Sequence, residues 1–127
     1  EVISTVRAPT PIAPYSQGVR AGDYLFITGQ ISTDVSTQAP VVGPLAVQYE
    51  TTLNNVLSVT EAAGGSADDI VKLGVYVTDV QHIHVLDKVI EKLFRRPYPA
   101  RHVVPVNSIP RGSHIEIDAV VYLPQNK

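Results

Sequence analysis

The chain of 127 residues contains no cysteine. This absence excludes disulfide bonds, zinc sites built from thiolates and a thiol nucleophile. The sequence also lacks the Gly-x-Ser-x-Gly pattern of many hydrolases and the lysine-containing loop that binds nucleotide phosphates. Gly64 and Gly65 follow a predicted helix rather than open one, so we interpret them as a helix cap and turn.

Basic charge is too sparse to predict a nucleic-acid-binding surface. The formal net charge is −2, and Arg95 and Arg96 form the only adjacent basic pair, whereas nucleic-acid-binding proteins carry clustered Lys and Arg. No apolar run approaches the roughly 20 residues of a membrane-spanning helix, and no signal-peptide pattern opens the sequence. We therefore expect no nucleic-acid partner, no membrane partner and a cytoplasmic location.

The four histidines do not form a metal-binding pattern. His82 and His84 are two residues apart in a predicted helix, so their side chains should diverge. His102 and His114 lie on separate predicted strands. Without cysteine or a His-Glu-x-x-His pattern, we predict that the protein has no metal site.

The length of 127 residues predicts one domain over residues 1–127. Residues 8–18 carry three prolines and predict an irregular loop or a mobile arm, and residues 32–44 also predict a loop. Apolar residues at helical spacing predict helices at residues 45–63 and 82–94. Runs rich in β-forming residues predict strands, which lie near Val19 and at residues 24–28, 69–77, 101–107 and 113–123.

The element order β-β-α-β-α-β-β predicts an α+β fold with both helices on one face of a mixed sheet. Strand 69–77 would direct Val71, Leu73, Val75 and Val77 to one face. The sheet carries apolar residues on both faces, but the helices cover only one. A second copy of the chain is the simplest cover for the other face, so we predict a homo-oligomer.

Glu116 interrupts an apolar strand, on the face opposite Ile115 and Ile117. One interpretation is a solvated carboxylate on an exposed sheet face. The other places Glu116 at a subunit junction, where partial desolvation would raise its pKa and suit it to general acid or base catalysis. The strand pattern alone leaves both interpretations open.

Arg101 opens an otherwise apolar strand after a Pro-Tyr-Pro motif. It could be a surface arginine paired with a carboxylate of the protein. Alternatively, its planar guanidinium could bind a substrate carboxylate through two hydrogen bonds, which lysine does less well. The residue pattern does not choose between these roles. Its neighbour His102 is the one histidine that we retain as a candidate site residue.

Five segments together resemble the RidA family, also called the YjgF group. They are APTPIAPYSQGV (8–19), FITGQIS (26–32), NNVLSVTEAAGGSADDIVKLGVYVTDV (54–80), YPARHVV (98–104) and IPRGSHIEIDAV (109–120). The resemblance implies a chorismate-mutase-like fold and a homotrimer with active sites between subunits. It also implies hydrolysis of reactive enamine or imine intermediates, such as 2-aminoacrylate, to 2-keto acids and ammonia, without a metal or organic cofactor.

The resemblance also assigns roles to individual residues. Arg101 corresponds to the family's carboxylate-binding arginine, and Glu116 to the acid that positions or activates the attacking water. Tyr15 corresponds to the tyrosine of the arm beside the pocket. Gly29 corresponds to the glycine whose backbone faces the ligand, with Thr28 next to it.

Several residues depart from the common family pattern near the expected pocket. His102 follows the arginine where a small residue is common, and Val103 stands where many members have cysteine. Asp87 replaces a frequent asparagine, and Ile90 replaces a frequent aromatic residue. We count His102 among the expected substrate-binding residues, since it could narrow the pocket or act as a second acid-base group.

These departures leave two alternatives to a deaminase of small imines. The protein could be a regulatory or small-carboxylate-binding trimer without turnover. It could also be a pathway-specific deaminase that acts on a larger enamine acid, such as an aminomuconate. The ribonuclease role sometimes suggested for the family receives no support from the acidic charge balance.

Overall fold

The computed structural model describes residues 1–124 as an α+β fold around a six-stranded mixed sheet. Its helices are α1 (Leu45–Ala62) and α2 (Ile83–Leu93). Its strands are β1 (Val2–Ile3), β2 (Gly18–Ala21), β3 (Tyr24–Gln30), β4 (Thr33–Asp34), β5 (Ala39–Pro40), β6 (Ile70–Val77), β7 (Ala100–Pro105) and β8 (Ile115–Tyr122). The main sheet has the order β1-β2-β3-β8-β6-β7, and β4 pairs with β5 in a separate hairpin. Among the strand pairs of residues 1–124, only β6 and β7 are parallel.

Both helices cover the same face of the sheet, as the element order predicted. Strand β8 alternates between buried residues and partly exposed ones. Its buried residues join one hydrophobic core with Leu53 and Val56 of α1 and with Leu86 and Val89 of α2. Within residues 1–124, neither helix combines the length and apolar character that crossing a bilayer requires.

Local sequence signals set the ends of the helices and of the edge strand. Pro44 immediately precedes α1, and Gly64 follows its end with φ = +94°, the left-handed conformation that glycine adopts without strain. Pro105 closes β7, which lies at the edge of the sheet. The predicted glycine cap is therefore confirmed.

The fold also corrects several predictions. Strand β3 does not end at Gly29 but continues to Gln30 through a register shift against β8. Residues 32–44, predicted to be a loop, contain the β4–β5 hairpin. Val71 is 42% exposed rather than buried, because the register between β6 and β8 shifts between Ile70 and Lys72.

The two neighbouring histidines also differ from expectation. The turn Val80–His82 is a short 3-10 segment, and α2 begins only at Ile83. The rings of His82 and His84 therefore do not diverge as they would within a helix, and their centroids lie 6.2 Å apart.

A buried glutamine anchors the irregular segment that precedes β2. The Gln17 amide nitrogen donates to the carbonyl oxygens of Thr5, Ala8 and Pro9 at 3.0, 3.3 and 2.8 Å. Its amide oxygen accepts a hydrogen bond from the Thr5 backbone at 2.7 Å. Gln17 thus supplies hydrogen bonds to a segment that has no strand partner.

We predict that Gln17→Leu lowers the free energy of unfolding by about 1–3 kcal/mol, because it leaves buried backbone groups unpaired. Urea denaturation measures this loss, and limited proteolysis should cleave within residues 8–16 faster than in the wild type. Gln81→Leu, at an exposed position, is the matched control. Equal stability of the Gln17 and Gln81 variants would contradict this role.

Candidate active site

Strand register places the two main candidate residues on opposite faces of the sheet. On β6, Leu73 pairs with Arg101, and Tyr76 pairs with Glu116. Side chains alternate along a strand, so positions 73 and 76 of β6 face opposite sides. Leu73 is buried in the core under the helices. Arg101 therefore lies on the helix-covered side, and Glu116 lies on the side that we call the outer face.

Arg101 borders a cavity of about 520 Å³ between the edge strand and α2. This volume is within the range of small-molecule sites. The cavity, which we call the arginine cavity, is lined by Leu73, Asp87, Ile90, Glu91, Tyr98, Pro99 and Arg101. The cavity thus combines apolar walls with one guanidinium, which can bind the carboxylate of a ligand, and with the acidic residues Asp87 and Glu91.

A carboxylate of the same chain already contacts this guanidinium. Arg101 Nη2 lies 2.7 Å from Asp87 Oδ1, and the two side chains are 32% and 48% exposed. Arg101 can therefore form an internal ion pair and still bind an anionic ligand. Arginine has five N–H donors, so donors remain for a ligand.

Glu116 is half-buried on the outer face. Burial raises the pKa of its carboxyl group above the usual range, and the neighbouring Asp118 carboxylate raises this pKa further. Its carboxylate receives no hydrogen bond from any group within residues 1–124. A carboxylate of this kind can take a proton from water more readily than an ordinary surface glutamate.

Gly29 and Thr28 lie where β3 shifts its register against β8. A Cβ atom added at Gly29 would overlap the Glu116 carboxylate. The absence of a side chain at Gly29 therefore makes room for Glu116 and brings the two residues together. Thr28 is held there by a 3.0 Å hydrogen bond from its backbone nitrogen to the Gln17 carbonyl oxygen.

Tyr15 is exposed at the end of the arm, next to the same strand. It lines a small cavity of about 50 Å³ together with Gly29, Gln30 and Arg111. Three of the predicted residues, Tyr15, Gly29 and Glu116, are thus neighbours in one chain. Arg111 was not predicted, because a single basic residue in a turn carries no recognisable motif.

His102 does not share the arginine cavity, although it follows Arg101 in sequence. It pairs with Gly74 and lies on the outer face, where its ring meets Tyr76 edge-on with centroids 5.5 Å apart. Gly74 leaves space for both His102 and Asp118. His102 therefore cannot narrow the pocket around Arg101 of its own chain.

Within residues 1–124, no group of three or more potential ligands could hold a metal ion.

We predict that Asp118→Asn lowers the pKa of Glu116, because it removes the like charge that disfavours the ionised form. The shift can be measured from the pH dependence of the Glu116 carboxyl ¹³C chemical shift. Glu61→Gln changes the net charge equally at an exposed position and should leave this pKa unchanged. An unaltered Glu116 pKa in Asp118→Asn would show that Asp118 does not act on it.

Comparisons with known proteins agree over almost the whole sequence. Residues 5–123 match the family model described as endoribonuclease L-PSP. A RutC family protein of Pyrococcus horikoshii is 41% identical over 122 residues, covering 96% of this chain and 97% of that protein. The Homo sapiens protein named 2-iminobutanoate/2-iminopropanoate deaminase is 36% identical over 119 residues, covering 94% of this chain and 87% of that protein.

The comparison of structures agrees with the comparison of sequences. The crystal structure of RidA from an Antarctic Psychrobacter superposes with a TM-score of 0.93 at 36% identity, covering 97% of this chain and 99% of that one. The matched range includes the arm, the arginine cavity and the outer-face carboxylate. Because sequence and fold agree over this range, the chain belongs to the RidA family.

Proposed function

We propose that the protein hydrolyses reactive enamine and imine intermediates of 2-amino acids to 2-keto acids and ammonia. Relatives that are 34% and 36% identical carry the name 2-iminobutanoate/2-iminopropanoate deaminase. The proposal is supported by two groups of this chain, the Arg101 guanidinium and the Glu116 carboxylate. One guanidinium borders a ligand-sized cavity, and one half-buried carboxylate has a raised pKa.

The proposed site is completed by a second copy of the chain. Arg101 and Glu116 lie on opposite sides of their own sheet, so one small substrate cannot contact both within a chain. The outer face carries large apolar side chains that are between 40% and 49% exposed, namely Val19, Tyr24, Phe26, Val104 and Tyr122. A homotrimer would cover this face and place Glu116 of one subunit near the arginine cavity of the next.

The chemistry follows from these positions. Arg101 would bind the substrate carboxylate and hold the adjacent imine carbon at a fixed place. Glu116 of the neighbouring subunit would accept a proton from water while the water oxygen bonds to that carbon. The carbon–nitrogen bond then breaks, the nitrogen leaves as ammonia with the protons it has gained, and the keto acid remains. The Gly29 backbone and Tyr15 would line the same side of the substrate.

The raised pKa of Glu116 suits this role. A general base is most effective when its pKa approaches the working pH. Since the base must be ionised, the rate should fall as the pH drops through this raised pKa. No metal or organic cofactor is needed, because the imine carbon is already electrophilic.

The arginine cavity also bears on the size of the substrate. A three-carbon imino acid fills only a small part of about 520 Å³. Leu73, Ile90 and Tyr98 line the cavity beside Arg101. This volume favours a longer imino acid and therefore supports the alternative of a deaminase that acts on a larger enamine acid.

We expect Glu116→Gln to lower kcat for imine hydrolysis by about 10²- to 10⁴-fold, the usual contribution of one general base. Arg101→Ala should lower kcat/KM by about 10- to 100-fold, through loss of charge-assisted hydrogen bonds to the substrate. Both rates can be measured by generating imines in situ with an amino-acid oxidase or dehydratase and following keto-acid release against buffer.

Matched controls are Glu61→Gln and Arg95→Ala, which remove charged groups from exposed positions. Both should keep wild-type rates. If the wild-type protein releases keto acid no faster than buffer from any imine, deamination is excluded. Binding of 2-keto acids without turnover would instead favour a carboxylate-binding trimer.

A further inference from the structure

The arginine cavity contains more negative than positive charge. Asp87 and Glu91 lie one turn apart on α2, so both project to the same side of the helix, and both line the cavity with Arg101. One basic and two acidic residues therefore line the same cavity. The nearest basic residues on α2, Lys88 and Lys92, do not line the cavity.

Two other basic residues lie near the cavity: Arg96, whose guanidinium lies 5.8 Å from the centroid of the Tyr98 ring in the cavity wall, and Lys92. Lys92 Nζ is turned towards Glu50 of α1, with contacts of 2.9 and 3.0 Å to its two carboxylate oxygens. Asp87 contacts Arg101 directly through one nitrogen, Nη2. Arg101 keeps its other N–H donors for a ligand, but a carboxylate bound there lies close to the Asp87 carboxylate.

This arrangement opposes a substrate whose only charge is its carboxylate. Such a substrate would bring a third negative group to one guanidinium, and solvent at these partly exposed side chains reduces the repulsion without removing it. A substrate with a cationic group on its side chain meets no such penalty. Its carboxylate can share Arg101 with Asp87, while its cation contacts Asp87 or Glu91 within a cavity of about 520 Å³.

We propose that Asp87 is a specificity-determining residue, which directs this protein towards 2-imino acids with a cationic side chain. Their carboxylate would bind Arg101, and Asp87 and Glu91 would bind the cation. This proposal rests on the proposed deaminase function and names its substrate class. The preceding step would be the oxidation of a basic amino acid to its imine, and the reaction here remains addition of water and release of ammonia.

The test compares two substrates that differ in charge but hardly in shape. An amino-acid oxidase converts arginine and citrulline to imines with a guanidinium and a neutral ureido side chain, respectively. We expect wild-type kcat/KM to favour the arginine-derived imine by about tenfold, the effect of one charge-assisted contact. The difference should lie in KM, because the cation contacts the protein far from the reacting carbon.

Asp87→Asn should reduce this preference to near unity and should raise kcat/KM for the citrulline-derived imine. Glu91→Gln should reduce the preference in the same direction. The matched control is Asp68→Asn, which removes the partner of Arg95 in an exposed Asp–Arg pair outside the cavity. This control should keep the wild-type preference.

A wild-type protein that hydrolyses both imines equally well, or an Asp87→Asn variant with an unchanged preference, would overturn the proposal. Calorimetric binding of arginine and citrulline separates this result from failure of the proposed function. Tighter binding of arginine that depends on Asp87, without hydrolysis of either imine, would reject deamination and support charge selection. Equal binding of the two amino acids would reject charge selection.

Discussion

The alternation of side chains across the strands β7, β6 and β8 is the constraint on which the candidate site depends. Register fixes Arg101 opposite Leu73 and Glu116 opposite Tyr76, and these two positions of β6 face opposite sides. No change of rotamer can move either side chain to the other face of the sheet. The Arg101 guanidinium and the Glu116 carboxylate of one chain therefore lie on different faces of its sheet, and in the proposed site each works with its counterpart from a neighbouring subunit.

The exposed apolar residues of the outer face suggest how the two groups could be brought together, namely by association of subunits through this face. A sheet covered by helices on one side only leaves Phe26 and its neighbours in contact with water. Association of subunits would bury them and, with them, the half-buried Glu116. The same contact that stabilises an oligomer would then desolvate the proposed catalytic base and complete the proposed site.

Much of this arrangement could be predicted from the sequence. The alternation around Ile115 and Ile117 placed Glu116 on the uncovered face, and the element order placed both helices on the other face, as the structure has them. Strand bulges were not predictable from the sequence. One extra residue in β6 leaves Val71 exposed, and no residue pattern marks the position of this bulge. The ion pair between Arg101 and Asp87 joins a strand to a helix, so it depends on tertiary packing that residue spacing does not encode.

The claim that each site is shared between subunits can be tested by complementation. Arg101→Ala and Glu116→Gln chains, each nearly inactive alone, would be co-expressed in equal amounts and assayed for imine hydrolysis. Random assembly leaves about one quarter of the interfaces with an intact Arg101 from one chain and an intact Glu116 from the next, so about a quarter of wild-type activity should return. Activity that stays at the level of the separate variants would contradict a shared site.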